Sequence, residues 1–134
     1  MFREKSEKGQ SLVEVALAMP LLIIIMMGIL DLGRAYLTYI ALSDAAAEGA
    51  AYAAIHPTDQ AQAIARAADS SGGLVTLAQD MVSVDTGEMS AGSPITVTVE
   101  YEYQMLTPFV NEWVPDGVLI MKATVTQPII GDGL

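Results

Sequence analysis

The sequence contains no cysteine. Disulfides, thiolate nucleophiles and cysteine-ligated zinc sites are excluded together, while compartment stays open, because a cysteine-free chain survives on either side of a membrane. Histidine occurs once, at His56, which is too few for a histidine metal triad. Positive charge is scarce as well: 6 Lys and Arg stand against 16 Asp and Glu, for a net charge of -10. An acidic chain of this kind repels phosphate backbones, so DNA and RNA are poor partners. Aromatic residues make up only 6% although hydrophobic residues make up 52%. The excess is Ala, Ile, Leu, Val and Met, the bias of a membrane or packed-helix protein. At 134 residues the chain holds one small domain plus a membrane segment.

What is present is concentrated at the start. Arg3, Lys5 and Lys8 precede Gly9-Gln10-Ser11-Leu12-Val13-Glu14, and the chain is then uncharged from Val15 to Leu30. Glu14 lies just inside this greasy run. A charge costs on the order of 2.5–3.5 kcal/mol at a bilayer centre and less near an edge, so the residue asks for a reason. From Ser11 to Leu32 a helix would cover roughly 33 Å, enough to cross a bilayer core. A cleavable secretory signal has a shorter apolar region of about 7–15 residues. Gly33 and Ala35 offer small residues near the end of this run, but its length argues against that class. Basic residues before the span and acidic residues after it place the N-terminus in the cytoplasm and the rest of the chain outside. Pro20 cannot donate a backbone hydrogen bond and should kink or loosen the helix. Gly28 and Gly33 can let another helix approach closely, although glycine is also simply common in membrane helices.

The helical pattern continues through the Ala-rich stretch to Ile55, where His56-Pro57 ends it, since a residue before proline avoids the α region. One helix from Ser11 to Ile55 is therefore expected, with Leu37, Ile40, Ala41, Ala45, Tyr52 and Ile55 near one stripe. Asp44 and Glu48 stack one turn apart on another face. A second helix is expected from Thr58 to Ala68, capped by Thr58 or Asp59 and stopped at Ser70-Ser71-Gly72-Gly73. Leu74 to Ala78 fits helix or strand equally, and Met81 to Thr86 reads as a strand. From Pro94 to Gln104, Ile95, Val97, Val99, Tyr101 and Tyr103 alternate with polar residues, the period of a half-buried strand. Val118 to Gln127 repeats the pattern, with Leu119, Met121, Ala123 and Val125 inward and Lys122 across from Glu100 or Glu102. The expected architecture is α+β: a long N-terminal membrane and stalk helix kinked at Pro20, a short helix and a small antiparallel sheet. Residues 1–9 form a leader, 10–32 a transmembrane helix, 33–56 its extension and 57–134 a head domain.

Glu14-Val15-Ala16-Leu17, followed by Pro20, Leu22, Gly28, Asp31 and Gly33, resembles the N-terminal pattern of TadE-like pseudopilins of the tight-adherence branch of type IV pilus systems. The likeness covers about the first fifty residues, through Glu48 and Tyr52. It implies that a prepilin peptidase cuts after the glycine on the cytoplasmic face, here Gly9|Gln10. It also implies that the acid at the fifth mature position, here Glu14, guides assembly. Expected partners are the peptidase, other pilin or pseudopilin subunits and the membrane; no cofactor and no catalytic activity are implied. The resemblance does not separate a minor subunit from one that builds a whole filament.

The chemistry of the leader is consistent with that reading. Gly9 can enter a narrow protease cleft without a Cβ penalty. The basic residues hold the leader at anionic headgroups. Cutting removes Arg3, Lys5 and Lys8 with Glu4 and Glu7, and exposes an amine at Gln10 one helical turn from Glu14. Glu14 can neutralise that amine or one on a neighbouring subunit. Elsewhere the signals are weak. Asp80, Asp85 and Glu88 have the oxygen ligands of a calcium site but match no EF-hand spacing, so a solvated loop is the simpler reading. Tyr101 and Tyr103 fit core packing, and Trp113 fits either packing or an exposed patch. The rival function is an uncleaved single-pass anchor carrying a binding module. A tethered enzyme is disfavoured by the lack of any convergent nucleophile motif.

Overall fold

The computed structural model describes residues 7–108 and 113–131. Helix α1 runs Glu7–Ile55 and helix α2 Gln60–Asp69, followed by strands β1 Val82–Thr86, β2 Pro94–Gln104 and β3 Val118–Pro128. Short 3-10 turns at Gln79–Met81 and Pro115–Gly117 lead into β1 and β3. The class is α+β, as the alternation and helix periods indicate. Arg3 and Lys5 lie outside the described residues.

α1 is one helix of 49 residues, about 73 Å long at 1.5 Å per residue. It starts before the expected Ser11 and is helical across Gly9 and Gln10. It also continues through Pro20, whose missing N–H leaves the Ala16 carbonyl without its usual intrahelical donor. α2 begins two residues later than expected because Asp59, rather than Thr58, caps it: its carboxylate accepts from the Gln62 N–H at 3.3 Å. Leu74 to Ala78 forms neither helix nor strand, yet Val75 and Leu77 are buried in the core.

The sheet has the order β1-β2-β3, antiparallel throughout. Ile95, Val97, Val99 and Tyr103 of β2 are buried, as their alternation requires. The register sets Glu100 opposite Lys122, at 2.9 Å, and Glu102 opposite Ile120. Beside that pair on the solvent face, Thr96 meets Thr126 at 2.9 Å and Thr98 meets Thr124 at 3.2 Å. Leu119 departs from expectation. It pairs with buried Tyr103 and shares its face, but is 41% exposed, because the sheet extends past the covered part of α1 there.

The outer half of α1 packs on α2 and the sheet through small residues: Ala41, Leu42, Ala45, Ala46, Ala50, Ala53 and Ala54 are all buried. The expected stripe is corrected accordingly. Leu37, Ile40 and Ile55 stay exposed, and the buried face is turned toward Leu42, Ala46 and Ala50. Close approach is the reason. A Cβ at Gly49 would lie 3.0 Å from the Ala67 Cβ, 3.2 Å from Val97 Cγ1 and 3.3 Å from the Ala63 carbonyl oxygen. Gly49→Leu should therefore lower the stability of the head by about 1–3 kcal/mol through overpacking, read as a drop in the midpoint of thermal unfolding.

β2 runs back down α1. Ile95 clusters with Ala53 and Ala54 at the far end of the helix, Val97 meets Gly49, and Tyr103 reaches Asp31. The segment after β3 closes the far end: the Ala54 carbonyl accepts from the Ile130 and Gly131 N–H groups at 2.9 and 3.0 Å. Leu106 and Thr107, just after β2, are thus at the opposite end, level with Asp31.

Candidate functional site

Two features stand out: a bare apolar helix and the acidic hook that joins it to the head. From Leu12 to Leu32 the large apolar side chains of α1 are uncovered, with Leu12, Leu17 and Leu32 each more than 70% exposed. The helix is long and apolar enough to cross a membrane, with a mean hydropathy of 2.5 over its most apolar window. Side chains this greasy, left bare by their own chain, call for lipid or other apolar helices as surroundings. Glu14 sits among them, exposed, and among the described residues it forms no ion pair.

Gly9, Gly28 and Gly33 have open space where a Cβ would sit, so nothing in the chain's own packing demands glycine there. The residues singled out from the sequence do not share one face. At about 100° per residue, Pro20 lies within roughly 20° of Asp31 around the axis, Gly28 about 60° and Glu14 about 100° away, and Gly33 nearly opposite. Asp31 and Pro20 therefore follow the meridian that the head covers further up, and Gly33 points away from it.

Asp31 is a buried acid, 7% exposed. Its carboxylate accepts from the Leu106 N–H at 3.0 Å, the Thr107 N–H at 2.8 Å and the Thr107 hydroxyl at 2.6 Å. Its backbone carbonyl accepts from the Tyr103 hydroxyl at 3.1 Å. Arg34 is nearby, with its guanidinium 3.5 Å from the carboxylate and 5.4 Å from the Tyr103 ring centroid. One carboxylate thus gathers two backbone donors and a hydroxyl from the loop after β2, fixing the head against the end of the bare apolar stretch. Sequence reasoning marked Asp31 but not Leu106, Thr107 or Arg34 as its partners. The head-side donors lie 75 and 76 residues away along the chain, beyond any local pattern.

Burial raises the pKa of Tyr103 above its ordinary 10.0, the Asp31 charge adds to that, and Arg34 opposes it. The folded state therefore prefers the neutral phenol. Stability from this residue is intact below the unfolded pKa of about 10 and declines as pH rises through the folded value. Tyr103→Phe should cost about 1 kcal/mol at neutral pH by removing the hydroxyl's bond to the Asp31 carbonyl, and should flatten the alkaline decline. Chemical denaturation at neutral pH and at pH values above the ordinary tyrosine range checks both.

At the far end a second cluster ties α2 to α1. Arg66 pairs with Glu48 at 3.3 Å and lies 4.7 Å above the Tyr52 ring. Tyr52 stacks on His56 and donates to Asp59 at 3.2 Å. These groups are solvent-accessible, and the contacts account for His56 as the helix-end residue the sequence suggests. Among the described residues no group of three or more His, Cys, Asp or Glu is placed to hold a metal ion.

A bare apolar helix that continues as a stalk into a small α+β head suggests single-pass anchoring in a membrane. Residues 9–51, the exposed helix and the start of the stalk, match the family model described as TadE-like protein. No curated protein and no solved structure matches the chain.

Proposed function

We propose that this chain is a pilin or minor pseudopilin that a prepilin peptidase cuts between Gly9 and Gln10 and that enters a tight-adherence pilus, or its assembly complex, through α1. The observation that carries the reading is the uncovered apolar helix with Glu14 four residues after Gln10, inside the segment that matches the TadE-like family. Arg3, Lys5 and Lys8 hold the leader on the cytoplasmic side, and the head stands outside. Glu14 pairs with a Gln10 amine, its own or a neighbour's. Gly28 and Gly33, which no intramolecular contact requires, give neighbouring helices room to approach. Pro20 supplies a weak point at which the helix can yield during extraction from the membrane. The role is structural, in support of surface attachment. Because Gly9 and Gln10 are helical here, the peptidase must unwind the first turn to reach the bond.

N-terminal sequencing of the protein recovered from cells with an active prepilin peptidase tests this. A chain beginning at Gln10 is expected. A chain that keeps its leader there would favour the rival reading, an uncleaved anchor for an extracytoplasmic binding module.

A further inference from the structure

The lower stalk of α1 has two sides, and the head covers one. Asp31, Thr38 and Ala45, seven residues apart, are all buried against the head. At about 100° per residue, the line through Ile29, Gly33, Tyr36 and Ile40 lies roughly 170° round the axis from them. That line is open. Ile29 is 63%, Tyr36 66% and Ile40 37% exposed, and nothing lies within 4 Å of where a Cβ at Gly33 would be. Its steps alternate between four and three residues, the seam of a helix that packs on another helix. The same steps continue down through Met26 and Leu22. Inside the span every phase is apolar, so the stalk fixes which line is meant. No Asp, Glu, Lys or Arg falls on the seam between Leu12 and Ser43. Above Ser43 the head covers this side as well, through Ala46 and Ala50. Tyr36 and Ile40 stand about 37 and 43 Å above Ser11, against a bilayer core of about 30 Å. Acyl chains do not reach Ile40, so lipid does not cover the upper seam.

We propose that two copies of this chain pair through this seam in the membrane, parallel and level, so that Gly33, Tyr36 and Ile40 each face the same residue of the second copy. This rests on the reading that α1 crosses a membrane, which gives every copy the same direction and depth. A second copy is the occupant because the flanks then match. In a parallel pair, the residue just before a seam position meets the one five places further on in the other helix. Leu32 of one copy thus meets Leu37 of the other, and Tyr39 meets Asp44. Tyr39 is half-exposed and Asp44 is exposed, so the phenol can donate to the carboxylate across the pair. No like charges are brought together. Gly33 lets the two axes approach closely where the helices leave the membrane. Glu14 lies off the seam, and Asp31 is on the far side with the head. The pair therefore leaves the Glu14 carboxylate free for docking into a larger assembly.

The chain has no cysteine, so single introduced cysteines report contacts without any native thiol to remove. Tyr36→Cys and Ile40→Cys lie on the seam, while Arg34→Cys and Glu48→Cys are exposed and off it. Each full-length variant is reconstituted into phosphatidylcholine vesicles, floated on a density gradient and oxidised with copper phenanthroline. Flotation with the lipid is required by the spanning helix, and a chain left at the bottom would overturn that reading together with this one. In the floated fraction, more than half of each seam variant should become disulfide-linked dimer, against less than a tenth of each off-seam variant. Ile40→Glu and Ile40→Lys, each combined with Tyr36→Cys, should lower the dimer at least tenfold, because like charges then face each other. Mixing those two chains should restore it. Neither change should shift the thermal midpoint of the head, since Ile40 lies outside its core. Equal dimer from seam and off-seam cysteines, or no recovery in the mixture, would overturn the proposal and leave the anchor standing.

Discussion

Alanine at Asp31 should release the head from the end of the span. The carboxylate holds two backbone donors and one hydroxyl of the Leu106–Thr107 turn, with no other acceptor for them among the described residues. Hydrogen bonds to a charged acceptor contribute about 1.5–3 kcal/mol each, and they are not additive here because one group makes all three. A loss of roughly 3–5 kcal/mol is expected, the range for breaking a buried charged cluster by removing one member. Amide exchange at Leu106 and Thr107 should accelerate by more than a hundredfold, which an energy loss of about 3 kcal/mol implies. Exchange in the middle of β2 should change much less, because Val97 and Val99 are held by the Ala-rich face of α1. Asp31→Asn should fall between, since an amide offers one acceptor oxygen and turns an N–H₂ toward donors. Arg34→Ala is the contrast. Its ion pair is long, at 3.5 Å, and the guanidinium is half in solvent, so a change within about 1 kcal/mol is expected. Equal effects of the two alanine variants would mean that Arg34, through its contact with the Tyr103 ring, holds the head as firmly as the hydrogen bonds of the carboxylate do.

These elements differ in how far the sequence reveals them. β2 was legible because its alternation has no competing period: an apolar residue every second position over eleven residues leaves one arrangement. The buried face of α1 was not. With alanine on every side, hydrophobicity carries no direction, and the face is chosen by how closely α2 and β2 approach at Gly49. Leu42 is the one large residue on it, while Leu37 and Ile40 lie off it and stay exposed. The partner of Lys122 was ambiguous between Glu100 and Glu102, because pattern alone leaves the pairing register open and only the paired strands decide it. Asp31 was visible as an acid at the end of a greasy run, a position that suits a membrane boundary. Its work as a hook was invisible, because its partners sit beyond β2 and come within reach only when that strand runs back down the helix.

Glu14→Ala should abolish entry into the pilus or its complex while leaving the Gly9|Gln10 cut largely intact. The two steps separate because they use different groups. On the proposed reading the peptidase acts on the bond after Gly9, and Glu14 stands four residues beyond Gln10. Incorporation, as proposed, brings the carboxylate to an amine in an apolar setting, where a lone charge costs on the order of 2.5–3.5 kcal/mol. Losing a pairing of that size lowers the incorporated fraction by about a hundredfold, at 1.4 kcal/mol per factor of ten. Glu14→Gln separates charge from shape: it keeps the length and a hydrogen-bond acceptor but leaves the Gln10 amine unneutralised, so it should fail nearly as completely. The head serves as an internal control. Glu14 lies about 25 Å down the axis from Asp31, so neither variant should shift the thermal midpoint of the head. The measurement is the share of processed chain in sheared surface material against the share left in the membrane fraction. Normal incorporation of Glu14→Ala would mean that α1 docks by shape and apolar contact alone, with Gly28 and Gly33 as the next positions to change.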